Sequence, residues 1–349
     1  MKIAVLVSGG VDSSVALHLL KEQGHDCTAF YLKIWLEDEL ASLGTCPWED
    51  DLVYVRRLCE QLDVPLRVIN LQKEYWERVV SSVIAEVKAG RTPNPDVLCN
   101  ERVKFGAFFQ AIGDEFEMVA TGHYADTEVK GKKTWLLRVP DPVKDQTYFL
   151  ANLKQSQVAR AMFPMGRMLK TEVRAYAKSH KLPTSDRKDS QGICFLGKIP
   201  YDQFLKHYLG EKEGDFVRQE TGDVIGKHNG FWFYTSGQRK GISLPGGPYY
   251  VVAKDAKKNI VYVSNKYVAA GSRDRFTVTD LNWIADAPDF SKQMYVKVRH
   301  SPRFYACDVV QGKNGELHVN IETQDQGIAS GQFAVFYDEK YCYGCGIIQ

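Results

Sequence analysis

Residues 8 to 14, SGGVDSS, have the composition of a loop that binds a phosphate chain. They follow a short apolar run, residues 3 to 7, and precede a stretch whose apolar residues have helical spacing. Two adjacent glycines allow a tight turn close to a ligand, and the amides at a helix N-terminus attract an anion. The loop lacks the Gly-Lys-Ser/Thr ending of a Walker-type loop, which disfavours transfer of a γ-phosphoryl group.

The same loop resembles the pyrophosphate-binding loop of enzymes that split ATP between its α and β phosphates. That resemblance implies release of pyrophosphate and transfer of AMP to the substrate. The alternative is a glycine-rich turn without a ligand, which the hydroxyls and the carboxylate beside the glycines disfavour. We therefore expect ATP as the nucleotide and adenylation as the chemistry.

A second group of candidate residues lies in TPNPDVLCN, residues 92 to 100. Its two prolines predict a rigid turn instead of a helix, with Asp96 and Cys99 held on that turn. A nearby carboxylate opposes thiolate formation, so we expect Asp96 to handle a substrate proton, and activation of Cys99 needs cations or hydrogen-bond donors. A buried structural thiol is the alternative for Cys99.

A third candidate is Cys194 in DSQGICFLG, residues 189 to 197. Arg187 and Lys188 precede it, and cations stabilise a thiolate. The polar residues around it predict an exposed loop, so we interpret Cys194 as a reactive thiol, with a buried core cysteine as the alternative.

The elements that must position these residues alternate between strand and helix in the first half of the chain. Strands are predicted at 3–7, 27–34, 65–70 and 118–123, and helices at 12–23, 49–62, 74–89 and 102–113. This alternation predicts a parallel sheet with helices on both faces, in which ligands bind beyond the carboxyl ends of the strands. Ser8, Leu32 and Gly122 follow strands and should converge there.

From about residue 211 the pattern changes to short alternating runs separated by Gly- and Asn-rich turns, which indicates small all-β modules. The predicted boundaries divide the chain into a catalytic domain at 1–205, a central domain at 206–270 and a C-terminal domain at 271–349.

Composition favours a soluble cytoplasmic protein. The chain has 349 residues, and none of its apolar runs approaches the ~20 residues that a membrane span needs. The net charge of +2 conceals an excess of basic residues at 144–190, which predicts a polyanion-binding face or, alternatively, a solvated helix surface. Eight scattered cysteines do not suggest a disulfide framework.

No dedicated metal site is predicted. Cys342 and Cys345 form a C-x-x-C pair, but zinc sites of this kind need a second pair, so we interpret them as strand cysteines in a reduced protein. His18, His25 and His180 are interpreted as ordinary helix or turn residues.

Together, these motifs resemble the bacterial and organellar tRNA-specific 2-thiouridylases. The resemblance extends to ATGHYAD at 120–126, KDQTYFL at 144–150, GKHNGFWFYTSGQRKG at 226–241 and SGQFAVFY at 330–337. It implies an α/β fold: a pyrophosphate-loop domain with a doubly wound parallel sheet, a small mainly β central domain and a C-terminal β-barrel.

The resemblance also implies two sets of binding residues. The set expected at ATP comprises Leu6, Val7, Ser8, Gly9, Gly10, Val11, Asp12, Ser13, Leu32 and Gly122. The set expected at tRNA comprises Asn94, Pro95, Asp96, His123, Lys144, Asp145, Gln146, Arg299, His300 and Gln332. His300 stands where we expect a tyrosine in related enzymes, and an imidazole can also stack on RNA or hydrogen-bond to it.

The implied mechanism begins when the flipped wobble uridine of the tRNA anticodon loop attacks the ATP α-phosphate through its C2 oxygen. Sulfur then comes from a persulfide on Cys194, either directly or as sulfide released when Cys99 forms a disulfide with Cys194. Asp96 would manage protons, and Mg²⁺ would accompany pyrophosphate. An upstream cysteine desulfurase or sulfur relay protein would supply the persulfide.

Three other hypotheses stay open from the residues alone. The first is an adenylating enzyme with a small substrate, and the second is an RNA-binding protein whose loop only senses ATP. The third is an iron–sulfur cluster on Cys99 and Cys194, for which a third ligand is missing.

Overall fold

Five parallel strands form the sheet of the N-terminal part of the chain. The computed structural model describes residues 1–34, 48–188, 199–266, 273–325 and 327–349. The strands of this sheet are β1 (Lys2–Leu6), β2 (Asp26–Lys33), β3 (Leu66–Asn70), β4 (Met118–Ala120) and β7 (Ala161–Met162). Their order is β3-β2-β1-β4-β7, with β1 and β4 adjacent at the centre.

Both faces of the sheet are buried at its central strand, β1. Ile3 and Val5 of β1 pack into one hydrophobic core, while Ala4 and Leu6 pack into another. Successive side chains of a strand point to opposite faces, so each face is covered by its own layer. This arrangement confirms the predicted doubly wound sheet.

Ten α-helical segments in the described part of the chain build these layers and the connections. They are α1 (Val11–Glu22), α2 (Trp48–Leu62), α3 (Gln72–Tyr75), α4 (Ser81–Lys88), α5 (Pro95–Cys99), α6 (Phe108–Ile112), α7 (Thr147–Leu150), α8 (Gln155–Val158), α9 (Lys170–Ser179) and α10 (Tyr201–Leu209). Wider π-type turns at Trp76–Val80 and Asn100–Ala107 join α3 to α4 and α5 to α6. Within these described residues, no helix has both the length and the apolar character needed to cross a membrane.

The segment with two prolines is helical, so the prediction of a turn without helix was wrong. Helix α5 begins at Pro95, and the side chain of Asn94 caps it by accepting the backbone N–H of Val97 over 3.2 Å. Proline is tolerated in the first turn because the amide it lacks has no partner within the helix. Asp96 and Cys99 are therefore positioned by a helix that runs on through the π-type turn into α6.

The later part of the chain forms two β structures. The central sheet has the order β10-β11-β8-β9, from β8 (Gly214–Arg218), β9 (Val224–His228), β10 (Tyr250–Asp255) and β11 (Ile260–Ser264). The C-terminal barrel comprises β12 (Arg273–Trp283), β13 (Met294–Lys297), β14 (Tyr305–Gln311), β15 (Leu317–Asp325), β16 (Phe333–Tyr337) and β17 (Tyr341–Ile348). It closes because β17 pairs with β12 as well as with β16. These structures confirm the predicted central and C-terminal fold classes.

A hairpin from the N-terminal half extends the barrel sheet. Strands β5 (Asp126–Lys130) and β6 (Lys133–Leu137) pair with each other, and β6 pairs with the start of β17. This hairpin was not among the predicted elements. Where β17 passes from β6 to β12, a Cβ on Gly344 would lie 2.0 Å from the carbonyl oxygen of Asn282, so this crossing requires glycine.

Candidate active site

The loop between β1 and α1 is closed by one of its own serines. The hydroxyl of Ser13 accepts the backbone N–H of Ser8 over 3.1 Å and donates to the carbonyl of Gly10 over 3.1 Å. Gly9 has a φ of +75°, which favours glycine. No side chain caps the N-terminus of α1, so its first amides are available to an anion.

Gly122 lies directly against this loop. It follows β4, the neighbour of β1, and a Cβ at Gly122 would lie 2.6 Å from the backbone nitrogen of Ser13. Leu32 lies near the carboxyl end of β2, on the other side of β1. The predicted approach of Gly122 to the loop is therefore present in the fold.

A lysine distant in sequence contacts the phosphate loop. Lys170, the first residue of α9, places its Nζ 2.6 Å from the carboxylate of Asp12, and its side chain is only 12% exposed. The hydroxyl of Tyr124 donates to the same carboxylate oxygen over 3.0 Å. Lys170 was not among the predicted site residues, and it supplies a cation to a loop that has no lysine of its own.

Arg187, which is 178 positions from Gly9 along the chain, also contacts the loop. Its guanidinium donates to the carbonyl of Gly9 over 2.8 Å and to the carboxylate of Asp51 over 2.6 Å, and it lies over the ring of Tyr54. Burial raises the pKa of Asp51, and the hydrogen bond from Arg187 opposes that rise. Arg187, which we expected to stabilise the Cys194 thiolate, thus contacts the phosphate loop.

Asp96 presents a buried acceptor with no partner among the described residues. Its Oδ1 is inaccessible to solvent and accepts no hydrogen bond in the described part of the chain. A buried carboxylate oxygen without a donor is costly, so it favours a ligand that brings one. Cys99, one helical turn further along α5, is fully buried.

Cys194 lies outside the described residues, as do all of residues 189–198. The description of the chain stops at Lys188, the residue after Arg187. The predicted pairing of Cys194 with Cys99 therefore stays a prediction.

His123 connects the two groups of candidate residues. It follows Gly122, and its Nδ1 lies 2.8 Å from the hydroxyl of Thr121. Burial and the charge of Lys104 hold the pKa of His123 well below its usual value. Because Lys104 belongs to the helical run that carries Cys99, His123 lies between the phosphate loop and that run.

Asp145 and His300, both expected at the tRNA, contact each other. The Asp145 carboxylate is buried and accepts the backbone N–H groups of Thr147 and Val139 over 3.0 and 3.2 Å, so it stabilises the local turn and does not face solvent. His300 donates through Nε2 to the carbonyl of Asp145 over 3.2 Å and stacks on Phe149 with ring centroids 4.5 Å apart. Burial lowers the pKa of His300.

Gln332 lies beside Tyr148. The hydroxyl of Tyr148 donates to the backbone carbonyl of Phe333 over 3.1 Å and lies 3.4 Å from Oε1 of Gln332. Next to them, Thr92 donates its backbone N–H to the carbonyl of Ser330 over 2.8 Å. The loop before β16 therefore packs on the segment that leads into α5.

The other residues expected at the tRNA occupy separate surroundings. Arg299 is exposed and pairs with Asp325 over 2.9 Å. Gln146 accepts the backbone N–H of Tyr124 through its side chain, and Lys144 is partly buried in the turn that follows Asp141.

The basic residues of 144–190 are used in part to hold the fold together. Arg160 donates to the carbonyls of Gly113 and Phe116, and Arg174 donates to the carbonyl of Arg187. Two further basic residues of this segment, Lys170 and Arg187, contact the phosphate loop.

Cys342 and Cys345 lie in β17, as predicted, and both thiols are buried and free. Burial raises the pKa of each.

Comparisons with known proteins cover the whole chain. Three family models match in order: the tRNA methyl transferase HUP domain at residues 1–198, the tRNA methyl transferase PRC-barrel domain at 202–265, and the aminomethyltransferase beta-barrel domain at 273–348. Among solved structures, the U34-tRNA thiolase NcsA from Methanococcus maripaludis aligns with 15% identity and a TM-score of 0.35, over 60% of this chain and 64% of that one. That likeness is too weak to support an inference.

Curated relatives match from end to end. The tRNA-specific 2-thiouridylase MnmA of Parabacteroides distasonis is 46% identical over 100% of this chain and 99% of its own length. The protein of the same name from Porphyromonas gingivalis is 45% identical over 100% and 99%. The chain belongs to the tRNA-specific 2-thiouridylase family.

Proposed function

We propose that the chain uses ATP to replace the C2 oxygen of the wobble uridine of tRNA with sulfur. The observation that carries this proposal is the contact of Arg187 with Gly9, because it fastens the segment that leads into Cys194 to the loop that would hold ATP. Adenylation and sulfur transfer must occur at one carbon of one base, so their groups must be held side by side. The 46% sequence identity over the full length to a relative named tRNA-specific 2-thiouridylase supports tRNA as the substrate.

The triphosphate of ATP would lie on the amides at the start of α1, near the cations of Lys170 and Arg187. Asp12 is the one carboxylate of the loop, and the chemistry of a carboxylate beside a polyphosphate fits Mg²⁺. Asp12 would hold the ion near the β and γ phosphates. There the ion would neutralise the charge of pyrophosphate as the pyrophosphate leaves. The adenosine would lie beside Leu32 and Gly122.

In the first step the C2 oxygen of the flipped uridine bonds to the α-phosphorus, and the bond to the bridging oxygen of the β-phosphate breaks. Uridine loses its N3 proton as the oxygen becomes attached to phosphorus. Oδ1 of Asp96, which accepts no hydrogen bond from the residues that the structure describes, is the acceptor for that proton. The products of this step are an O-adenylated uridine and pyrophosphate.

In the second step the terminal sulfur of the Cys194 persulfide bonds to C2, and AMP leaves with the former C2 oxygen. Cys99 bonds to the inner sulfur, so the sulfur–sulfur bond breaks and its electron pair goes to the transferred sulfur. If Cys99 reacts first, sulfide is released and attacks C2 instead. Either order leaves 2-thiouridine and a disulfide between Cys99 and Cys194. A thiol reductant then cleaves this disulfide and restores both thiols.

The tRNA would bind through its anticodon stem-loop along the surface that joins α5 to the barrel. Asn94 and Pro95 precede Asp96, and His123, Lys144, Gln146, Arg299, His300 and Gln332 supply further contacts. The buried carboxylate of Asp145 would act through the turn it holds. A cysteine desulfurase or a sulfur relay protein would load Cys194.

Pyrophosphate release tests the substrate. The purified chain is mixed with ATP and Mg²⁺, with or without an unmodified tRNA transcript whose wobble base is uridine. We expect pyrophosphate to form only with that transcript, and a transcript with cytidine at the wobble position to give none. Equal release without tRNA would contradict the proposal and favour an adenylating enzyme with a small substrate.

A further inference from the structure

Two histidines and a glutamate meet at the far ends of α1 and α9. His18 and Glu22 lie one helical turn apart on α1, and His180 follows the last residue of α9. One ligand atom from each lies within 4.8 Å of the other two. His180 is 158 or more positions from the other two along the chain, so only the fold brings it to them.

The hydrogen bonds of His180 direct a lone pair into this cluster. Its Nδ1 lies 3.0 Å from the backbone carbonyl of Tyr176, which can only accept, so Nδ1 carries the proton. Nε2 then faces Oε1 of Glu22 at 3.6 Å. When the imidazole of His180 is neutral, its Nε2 and the Oε1 of Glu22 are both acceptors. A cation between two facing acceptors stabilises them.

The arrangement has the features of a metal site. Histidines that bind metals commonly donate their other ring nitrogen to a backbone carbonyl, as His180 does. Tyr176 donates its hydroxyl to Glu22, so its oxygen accepts the Nδ1–H of His18 over 2.9 Å, and Nε2 is the nitrogen of His18 that keeps a lone pair for an ion.

We infer that His18, Glu22 and His180 form a binding site for a divalent transition-metal ion, for which zinc is the best-matched ion. Two imidazoles and a carboxylate are a common zinc ligand set, with water in the fourth position. Glu22 is about half exposed, so water reaches the site. Ligands of one zinc ion lie at most about 4 Å apart, so the widest pair must close slightly, which side-chain rotation at the surface permits.

The site would clamp the two helices that hold the phosphate loop. At their N-termini, Asp12 of α1 contacts Lys170 of α9 over 2.6 Å, and at their other ends Glu22 faces His180. The ten-residue helix α9 spans about 15 Å, so the ion would lie far from the reacting phosphates. Its expected role is to fix the helix pair, separate from Mg²⁺ at the loop.

Zinc binding to the full chain tests the inference. The wild-type protein, stripped of metal with a chelator and kept reduced, is titrated with zinc and compared with His180→Gln and Glu22→Gln. His207→Gln is the matched control, because His207 is an exposed histidine on another helix. We expect the wild type and the control to bind one zinc ion that each of the two site variants binds about 100-fold or more weakly.

Cobalt distinguishes this site from thiolate sites, since the chain has eight cysteines. With Co²⁺ the wild type should give the visible ligand-field bands of a nitrogen and oxygen site, without a thiolate charge-transfer band, and both site variants should lose them. Zinc should also raise the melting temperature of the wild type and not of the variants. Equal zinc binding by the wild type and both variants would overturn the inference, as would no zinc binding by the wild type.

Both site variants change surface side chains, and their melting temperatures in chelator should match that of the wild type. If a variant is destabilised in chelator, the other variant and the cobalt spectrum decide. A spectrum with thiolate bands that persists in both variants would likewise overturn the inference.

Discussion

Arg187 donates a hydrogen bond to the backbone carbonyl of Gly9 across 2.8 Å and, with its other nitrogen, pairs with Asp51. This contact joins the phosphate loop at the start of the chain to the segment that continues to Cys194. It also explains part of the requirement for glycine at position 9, because a Cβ there would lie 2.9 Å from the guanidinium. The geometry of the loop and the position of this segment are therefore coupled.

Replacing Arg187 with alanine should slow adenylation. The change removes two charge-assisted hydrogen bonds and leaves the partly buried Asp51 without its partner. Each bond of this kind contributes about 1.5–3 kcal/mol, so tRNA-dependent pyrophosphate release should fall by about 10- to 100-fold. The control is Arg67→Ala, which removes an exposed ion pair with Glu115 on the edge strand β3 of the sheet. Equal rates for Arg187→Ala and Arg67→Ala would contradict the assigned role.

Lys170→Ala should weaken ATP binding. Without Lys170, Asp12 keeps only the hydroxyl of Tyr124 as a described partner, and the loop loses its nearest lysine. We expect the Kd for ATP to rise by about tenfold, which corresponds to about 1.4 kcal/mol. Lys178→Ala, an exposed lysine on the same helix, should leave the Kd unchanged. The prediction fails if both variants bind ATP as the wild type does.

Asp96→Asn should block the chemistry without preventing tRNA binding. The amide has nearly the same volume but cannot accept the uridine proton, and general-base catalysis contributes about 10²- to 10⁴-fold. Single-turnover pyrophosphate release should fall within that range, while the affinity for tRNA measured by filter binding stays within a few-fold. Asp114→Asn, at a fully exposed carboxylate, serves as the control. Wild-type rates in Asp96→Asn would exclude Asp96 as the base.

The stability of the fold should decrease below about pH 6.5 in a way that depends on His123. Burial and Lys104 lower the pKa of His123 in the folded state, so the unfolded chain binds a proton that the folded chain excludes. Above the unfolded pKa of about 6.5, His123 is neutral in both states and does not lower the stability. Below that pH, the free energy of unfolding falls by up to about 1.4 kcal/mol per pH unit. Urea unfolding at pH 7.5 and 5.5 measures this loss.

His123→Gln should lose less stability between these two pH values than the wild type does. The exposed His207→Gln should lose as much as the wild type. An identical loss in His123→Gln and the wild type would show that His123 is not the group concerned.

The local pattern of the sequence was sufficient to predict the loop and its neighbours. The apolar runs that precede SGGVDSS and TGH predicted Ser8 and Gly122 at strand ends. Parallel pairing of β1 and β4 brings these ends together. Pro95 shows the limit of a local rule, since the same residue that breaks a helix interior can begin a helix.

Side-chain contacts between distant residues could not be predicted. Lys170 and Arg187 are 158 and 178 positions from their partners Asp12 and Gly9, and only their places in a basic tract hinted at a ligand. The β5–β6 hairpin was missed for the same reason, because its pairing partner β17 lies about 200 residues further along the chain. The cluster of His18 with His180 likewise forms only when α1 and α9 pack together.

Single-turnover sulfur transfer tests the central claim most directly. The wild type and Cys194→Ser are each treated with a persulfide donor, then mixed with ATP, Mg²⁺ and the uridine-34 transcript, and the tRNA is digested and examined for 2-thiouridine by mass spectrometry. The wild type should form 2-thiouridine at the wobble position together with AMP and pyrophosphate. Cys194→Ser should bind the tRNA and release pyrophosphate but form no 2-thiouridine. Thiolation by Cys194→Ser at the wild-type rate would contradict the account.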